Sequence, residues 1–137
     1  MYAWVVGTLV RRGFRKLNAG DVSTALGMFA ADARFFFPGR HSFAADLSQP
    51  AEIRAWFERF VALGPHVEIS DVIVSGPPWS MRVGVRFADG ITLPDGSHYA
   101  NEGMQYLRLS WGRVRLDRIF LDTQAVADLD RLLAIAA

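Results

Sequence analysis

The sequence has no cysteine among its 137 residues. This excludes disulfide bridges, thiolate zinc sites and cysteine nucleophiles. It also has no apolar run close to the ~20 residues that a bilayer-spanning helix needs. The apolar segment 1–10 is followed by basic residues instead of being preceded by them, which is the reverse of a secretory signal. Together these absences predict a cytoplasmic protein without a membrane partner.

The sequence also has little net charge, +1 at pH 7, so no long-range attraction to an acidic partner is expected. The basic run 11–16 lacks aromatic neighbours arranged for base stacking, and we therefore expect no nucleic-acid partner. His41, His66 and His98 are too scattered in sequence to form a metal-ligand motif. Because Ser-His-Asp order, phosphate loops and dinucleotide motifs are also missing, we expect no metal and no cofactor.

What remains is an ordinary globular composition, with 51% hydrophobic and 21% charged residues. The length fits one domain over residues 1–137. Apolar residues at helical spacing predict a helix over 2–17, a short one from Asp21 to about Phe29, and one over 51–63 that begins at Pro50. Residues 44–49 are predicted to be a loop.

From His66 onward the period changes to that of strands. The pattern predicts about four consecutive strands with short connections, followed by a closing helix over about 123–136. Helices early and strands late indicate an α+β fold with a mostly antiparallel sheet. We expect a cone-shaped, curved sheet wrapped around about three N-terminal helices, with an interior that side chains need not fill completely.

Several segments, in this order, resemble the SnoaL-like branch of the nuclear-transport-factor-2-like superfamily: NAGD (18–21), FAADA (29–33), PGR (38–40), AEIRAWF (51–57) and GRV…DRIFLD (112–122). Ketosteroid isomerases, polyketide cyclases and limonene epoxide hydrolases belong to this superfamily. The resemblance covers nearly the whole chain and implies the fold far more specifically than the activity.

The resemblance argues against steroid isomerisation. The positions that match the isomerase base, the oxyanion tyrosine and the protonated aspartate are Phe37, Gly13 and Gln105. Epoxide hydrolases of this fold use two aspartates bridged by arginine; one matches Asp122, whereas the others fall near His98 and Ala100. The cyclases place an acid–base aspartate near the end of the last strand, and Asp122 matches it.

The stretch FFFPG raises the question of whether its phenylalanines fill a core or line a pocket. Strand alternation points Phe35 and Phe37 one way and Phe36 the other. The sequence is compatible with both interpretations. In the pocket interpretation, Phe35 or Phe37 lines an apolar cavity with other large side chains, as is typical of ligand sites; these are Trp56, Phe60, Val85, Leu107 and Phe120.

Each candidate polar group has a structural alternative. Asp122 is predicted to be the acid or base, or else an N-cap of the last helix. His41 is a base or a hydrogen-bond donor, or else a solvated loop residue. Asn101 and Gln105 orient a ligand, or else bond to a neighbouring loop or water. Arg118 binds an acidic ligand, or else pairs with Asp122.

Two functional classes follow. One is an enzyme that acts on a small apolar or amphipathic molecule by acid–base or hydrolytic chemistry. The other is a non-catalytic ligand-binding or adaptor module. In either case Met104, Tyr106 and Arg108 are predicted to lie on the outer face of the sheet, where such a mixture is typical of an interface core. We therefore expect a homodimer through that face.

Overall fold

The computed structural model describes residues 2–136 and contains four helices and six strands in that range. The helices are α1 (Tyr2–Asn18), α2 (Ser23–Leu26), α3 (Pro50–Val61) and α4 (Thr123–Ala136). The strands are β1 (Phe29–Phe37), β2 (Ala45–Leu47), β3 (His66–Ser75), β4 (Met81–Thr92), β5 (His98–Ser110) and β6 (Arg113–Leu121).

The six strands form one curved, mixed sheet in the order β2-β1-β6-β5-β4-β3. All neighbouring pairs are antiparallel except β1 and β6, which are parallel. A parallel pair needs a long crossover, and the chain between β1 and β6 supplies it with α3 and further strands. The predicted α+β class and its mostly antiparallel curved sheet are confirmed.

The helices pack against the inner face of this sheet through apolar stripes. In α1 the buried positions are Val6, Val10, Gly13 and Leu17, which recur at spacings of three and four. Helical spacing alone also predicts Tyr2 and Leu9 near that stripe, but both are exposed. Helix α3 begins at Pro50, as predicted, because its first turn does not need the missing N–H.

Two segments differ from the prediction. Helix α2 ends at Leu26, because Gly27 is a poor helix former and Phe29 already pairs with Val114 as the first residue of β1. The predicted loop 44–49 contains the short strand β2, which pairs with the last three residues of β1. Strand β2 covers the edge that β1 would otherwise expose.

A β-bulge in β6 decides which of its residues face inward. Leu109 pairs with Val114 and Arg108 pairs with Leu116, so Arg115 is an extra residue in the ladder. Before the bulge the inward residue is Val114; after it Asp117 is buried. A one-residue shift exchanges the faces of a strand. Without the bulge, regular alternation would have placed Arg118 and Phe120 on the same inward face as Val114.

Candidate functional site

A cavity of about 100 Å³ lies between the inner face of the sheet and the helices. A cavity of about 150 Å³ lined by apolar residues can hold benzene, so the smaller volume here sets an upper limit of about one ring for a guest. Most of its wall is apolar. Residues from all four helices and from β1, β3, β4, β5 and β6 contribute to it, and the ring-bearing ones are Phe14, Phe29, Phe37, Phe43, Trp56, Phe57, Phe60, Phe87 and Tyr99.

The most deeply buried polar pair on this wall is Gln105 with Asp117. Gln105 Nε2 on β5 donates a hydrogen bond of 2.7 Å to Asp117 Oδ1 on β6. Asp117 is 1% exposed and Gln105 8%. Burial disfavours the ionised form and raises the pKa of Asp117 to about 7, although the hydrogen bond from Gln105 opposes the shift. A carboxyl group with this pKa can give or take a proton at neutral pH.

A second polar group on the wall is formed by Asp89 and Tyr99. Burial raises the pKa of the Asp89 carboxyl to about 7. Burial and the nearby charge of Asp89 raise the pKa of the Tyr99 hydroxyl above its ordinary value, so Tyr99 remains a neutral donor. Asp89 lies on the inward-facing side of β4, between Phe87 and Ile91.

The charged residues that line the cavity are all acidic. Among the residues the structure describes, no lysine, arginine or histidine belongs to the wall. Nor does the described range contain a cluster of three or more histidine, aspartate or glutamate side chains that could hold a metal ion. The cavity therefore offers carboxyl, amide and phenol groups set in an apolar surface.

Four of the residues predicted to bind a substrate lie on this wall: Phe37, Trp56, Phe60 and Gln105. Trp56 is fixed by a 2.8 Å hydrogen bond from its Nε1 to the Phe43 carbonyl oxygen. Its ring stacks on Phe60 with centroids 5.5 Å apart and packs against Phe37 at 5.1 Å. These rings form one rigid aromatic wall, because each is held by its neighbours.

Phe35 and His41, in contrast, do not line the cavity. Phe35 is 0% exposed and packs in the core against Trp56 and Phe57, so the core interpretation applies to it. His41 Nε2 lies 2.7 Å from the Pro38 carbonyl oxygen, and its Nδ1 accepts a 3.1 Å hydrogen bond from the Phe43 amide. Both ring nitrogens of His41 hold the turn together, so neither is free for a ligand.

Asp122 and Asn101 also lie outside the cavity. Asp122 is exposed, and its Oδ1 accepts hydrogen bonds from the amides of Gln124 (2.9 Å) and Ala125 (3.2 Å). This is the N-cap alternative, realised at the start of α4. Asn101 Nδ2 donates to the Asp122 carbonyl oxygen at 2.9 Å and to the Tyr99 hydroxyl at 3.0 Å. Asn101 therefore joins β5 to the end of β6.

Arg118 and Phe120 point to the opposite side of the sheet. The Arg118 guanidinium lies 4.4 Å from the centre of the Phe36 ring and 5.9 Å from that of Phe120. Phe120 is half exposed. The inward placement expected for both residues is wrong because the bulge at Arg115 reverses the faces of β6.

The two carboxyl groups of the cavity wall, Asp89 and Asp117, were not among the predicted residues. Asp89 carried a usable signal: it continues the inward alternation Val83, Val85, Phe87, so a carboxyl there had to face the interior. Asp117 carried none, because regular alternation from Val114 places it outside. Only the register shift in the pairing of β5 with β6 shows that the Asp117 side chain faces inward.

Within residues 2–136, no helix is long and apolar enough to cross a membrane.

None of the curated proteins matches the sequence. Among solved structures, Bal32a from a soil-derived mobile gene cassette is 24% identical, with 96% of this chain and 100% of that chain covered and a TM-score of 0.83.

Two further structures have the same fold at lower identity. TerC, co-crystallised with polyporic acid, is 14% identical over 92% of this chain and 98% of its own, with a TM-score of 0.77. SalBIII, an epoxide hydrolase/cyclase-like enzyme with a role in pyran ring formation in the polyether salinomycin, is 20% identical over 89% of this chain and 94% of its own, with a TM-score of 0.73.

At these identities the structural similarity establishes the fold alone. The family follows from the sequence itself, because residues 10–116, which make up most of the chain, match the SnoaL-like domain family. The protein belongs to the SnoaL-like family.

Proposed function

We propose that the protein is a cofactor-independent enzyme that performs acid–base chemistry on a small, largely apolar molecule, with Asp117 as the proton-transferring group. The observation that carries this proposal is the burial of the Asp117 carboxyl on the wall of an apolar cavity, with a pKa raised to about 7. At neutral pH such a group is present in both forms, so it can remove a proton in one step and return it in the next.

Other residues have supporting roles in this proposal. Gln105 fixes the orientation of the Asp117 carboxyl through their 2.7 Å hydrogen bond. The aromatic wall of Phe37, Trp56 and Phe60 holds the body of the substrate and excludes water from it. The similarity to the epoxide hydrolase/cyclase-like SalBIII supports ring-opening or ring-closing chemistry as the first class to test.

The test compares Asp117→Asn with Asp122→Asn, because both keep the side-chain shape and remove the titrating group. A panel of one-ring epoxides with and without ring hydroxyl groups, such as 4,5-epoxycyclohexane-1,2-diol and cyclohexene oxide, is incubated with each protein and the products are identified by mass spectrometry. We expect Asp117→Asn to lower turnover about 10²–10⁴-fold and Asp122→Asn to leave it unchanged. Equal turnover by wild type and Asp117→Asn contradicts the assignment.

The alternative is a non-catalytic ligand-binding or adaptor module, favoured by the wide separation of the two acidic groups. Asp89 pairs with Asn101 and Asp117 pairs with Leu107, six positions further along β5. This corresponds to roughly 20 Å of extended strand, so Asp89 cannot act as the second catalytic group beside Asp117. Ligand binding without turnover of any panel member supports this alternative.

We further propose that the protein forms a homodimer through the outer face of the sheet. Ile73, Met104 and Phe120 are 37–61% exposed on that face, and Tyr106 is partly exposed beside them. Arg86 and Glu102, paired at 3.7 Å on the same face, supply opposite charges that a second copy can match. An apolar centre with charged neighbours suits an interface between identical surfaces.

A further inference from the structure

Two acceptor atoms in the cavity are buried without a hydrogen-bond partner among residues 2–136. One is Gln105 Oε1, and the other is Asp89 Oδ1. Both residues belong to the cavity wall. Buried polar atoms in proteins are nearly always satisfied by protein, water or ligand. Something that enters the cavity must therefore donate hydrogen bonds to both atoms.

The orientation of the Gln105 amide follows from its neighbour. Its Nε2 is engaged with Asp117 Oδ1. Above pH 7 the Asp117 carboxyl is mainly ionised, and a carboxylate accepts but cannot donate, so it selects the amide N–H₂ and leaves Oε1 without a partner. Asp89 is also mainly ionised above pH 7, and its Oδ1 is then an acceptor that cannot donate. Both ends of the cavity wall thus require donors from the guest.

Water meets this need when the cavity holds no guest, since water donates as readily as it accepts. A guest that displaces the water must reproduce its hydrogen bonds or lose affinity. A ketone, ether or hydrocarbon has no donor and leaves both acceptors unsatisfied. Each unsatisfied buried acceptor weakens binding by about tenfold or more.

The charge of the wall sets a second limit. Its ionisable residues are Asp89, Asp117 and Tyr99, and no described basic side chain lines the cavity. An anionic guest would lose its hydration without gaining a cationic partner, and it would be repelled by two carboxyl groups. Carboxylic acids and phosphates are therefore poor guests at neutral pH.

The positions of the two acceptors set the shape of the guest. Gln105 pairs with Val85 across the β4–β5 ladder, and Asp89 lies four residues beyond Val85 on β4. This is roughly 13 Å of extended strand, which the two side chains shorten by reaching into the cavity. The cavity volume of about 100 Å³ restricts the guest to about one ring.

From these observations we infer that the cavity takes a neutral, one-ring-sized molecule with a hydrogen-bond donor, a hydroxyl or N–H group, at each of two opposite ends. One donor binds Gln105 Oε1 and the other binds Asp89 Oδ1. This inference deepens the proposed function, because it defines the substrate class for the same site, and it rests on that site being functional.

The experiment uses a ligand series of nearly constant size. The two-donor probe is 4-hydroxybenzyl alcohol. Replacing the phenol hydroxyl by methyl gives 4-methylbenzyl alcohol, replacing the alcohol hydroxyl by methyl gives 4-ethylphenol, and replacing both gives 4-ethyltoluene. The anionic probe is 4-hydroxybenzoate. Binding is measured by calorimetry at pH 8.5, where Asp89 and Asp117 are mainly ionised. The NMR signal of the Trp56 indole N–H reports occupancy because Trp56 lines the cavity.

In the wild-type protein we expect 4-hydroxybenzyl alcohol to bind tightest. Each single replacement should weaken binding about tenfold, and 4-ethyltoluene should be weaker again. The anion 4-hydroxybenzoate should not bind measurably. Tighter binding of 4-ethyltoluene, tightest binding of the anion, or no shift of the Trp56 signal with any probe overturns the inference. This series needs no variant to fold.

Two variants then test which acceptor residue binds the hydroxyl at each end of the ligand. In Gln105→Leu and in Asp89→Leu, one acceptor is replaced by an apolar side chain. Each should abolish the preference for a hydroxyl at one end and keep it at the other. The matched control is Asp122→Asn, which lies outside the cavity and should change none of these affinities. A preference that both variants leave intact contradicts the assignment of Gln105 and Asp89.

The outcome is separable from that of the proposed function, because binding requires no turnover. If the donor preference holds while Asp117→Asn keeps full activity, only the proposed catalytic role fails. If Asp117→Asn loses activity while the series shows no donor preference, only the inference about the substrate class fails.

Discussion

Gln105 on β5 and Asp117 on β6 form a buried amide–carboxyl pair, joined by a 2.7 Å hydrogen bond from Nε2 to Oδ1. Apart from the Tyr99 hydroxyl, they are the polar side chains among the buried residues of the described chain. The pair is possible because the bulge at Arg115 turns Asp117 inward beside β5. Stability, titration and the proposed chemistry all depend on this contact.

The first prediction concerns the pH dependence of stability. The pKa of Asp117 is raised to about 7 in the folded protein against an ordinary value of 3.8. Its stabilising contribution is therefore complete below pH 3.8 and is lost as the pH rises through about 7. The amide introduced by Asp117→Asn stays neutral at every pH, so this variant should be more stable than wild type at pH 8, by up to about 4 kcal/mol.

Urea denaturation of both proteins at pH 4 and pH 8 measures this effect. The difference in free energy of unfolding between variant and wild type should shrink towards pH 4, where Asp117 is protonated. Asp89→Asn should change the pH profile in the same direction, because burial also raises the pKa of Asp89 to about 7. A wild-type protein that gains stability from Asp117 between pH 4 and pH 8 would refute the raised pKa.

The second prediction concerns the start of α4. Asp122 Oδ1 accepts hydrogen bonds from the amides of Gln124 and Ala125. Asp122→Ala removes both and should lower the free energy of unfolding by about 1 kcal/mol, whereas Asp122→Ser should retain most of it. Thermal or urea denaturation distinguishes the two. Full stability of Asp122→Ala would show that the cap contributes nothing.

The third prediction contrasts two glycines of the sheet. A Cβ at Gly103 would lie 2.1 Å from the Phe120 carbonyl oxygen and 2.9 Å from Leu121 Cβ. Because these atoms belong to the neighbouring strand, Gly103→Ala should cost at least about 2 kcal/mol of stability. At Gly84 the nearest atoms are 3.7 Å away or more. Gly84→Ala is the matched control and should change stability by less than about 0.5 kcal/mol.

The fourth prediction tests the outer face. Wild-type protein at micromolar concentration should have the mass of a dimer by light scattering. Met104→Glu and Phe120→Glu place charges on the exposed apolar surface and should give a folded monomer, since a buried unpaired charge opposes association. Ile135→Glu, at an exposed position on α4, should remain dimeric. A monomeric wild type contradicts the proposed dimer.

The sequence predicted the element order and the sheet class because these depend on periodicity, which is local. Pro50 and the change to strand spacing at His66 both lie where the structure has an element boundary. The same local information cannot show ladder register. It therefore placed Arg118 and Phe120 inside, because nothing in the β6 sequence marks Arg115 as an extra residue.

The site was predictable to the extent that regular alternation held. On β5 the alternation is unbroken, and Gln105 was correctly expected to face inward. On β1 it gave the direction of Phe35 and Phe37, but the depth of burial, which separates a core ring from a cavity wall, depends on helix packing. The role of Asp122 could not be predicted, because an aspartate at a strand end can cap the following helix or face the interior with equal ease.

The extra residue at Arg115 has a consequence for comparing this chain with its relatives. A gap-free comparison of the last strand would match Asp117 with outward positions in any relative that lacks the insertion, and would match Arg118 with inward ones. An acid–base role carried over from a relative through such an alignment would be assigned to the wrong residue of this chain. Matching relatives on Cα positions, with a one-residue gap at 115, keeps Asp117 aligned with inward-facing positions.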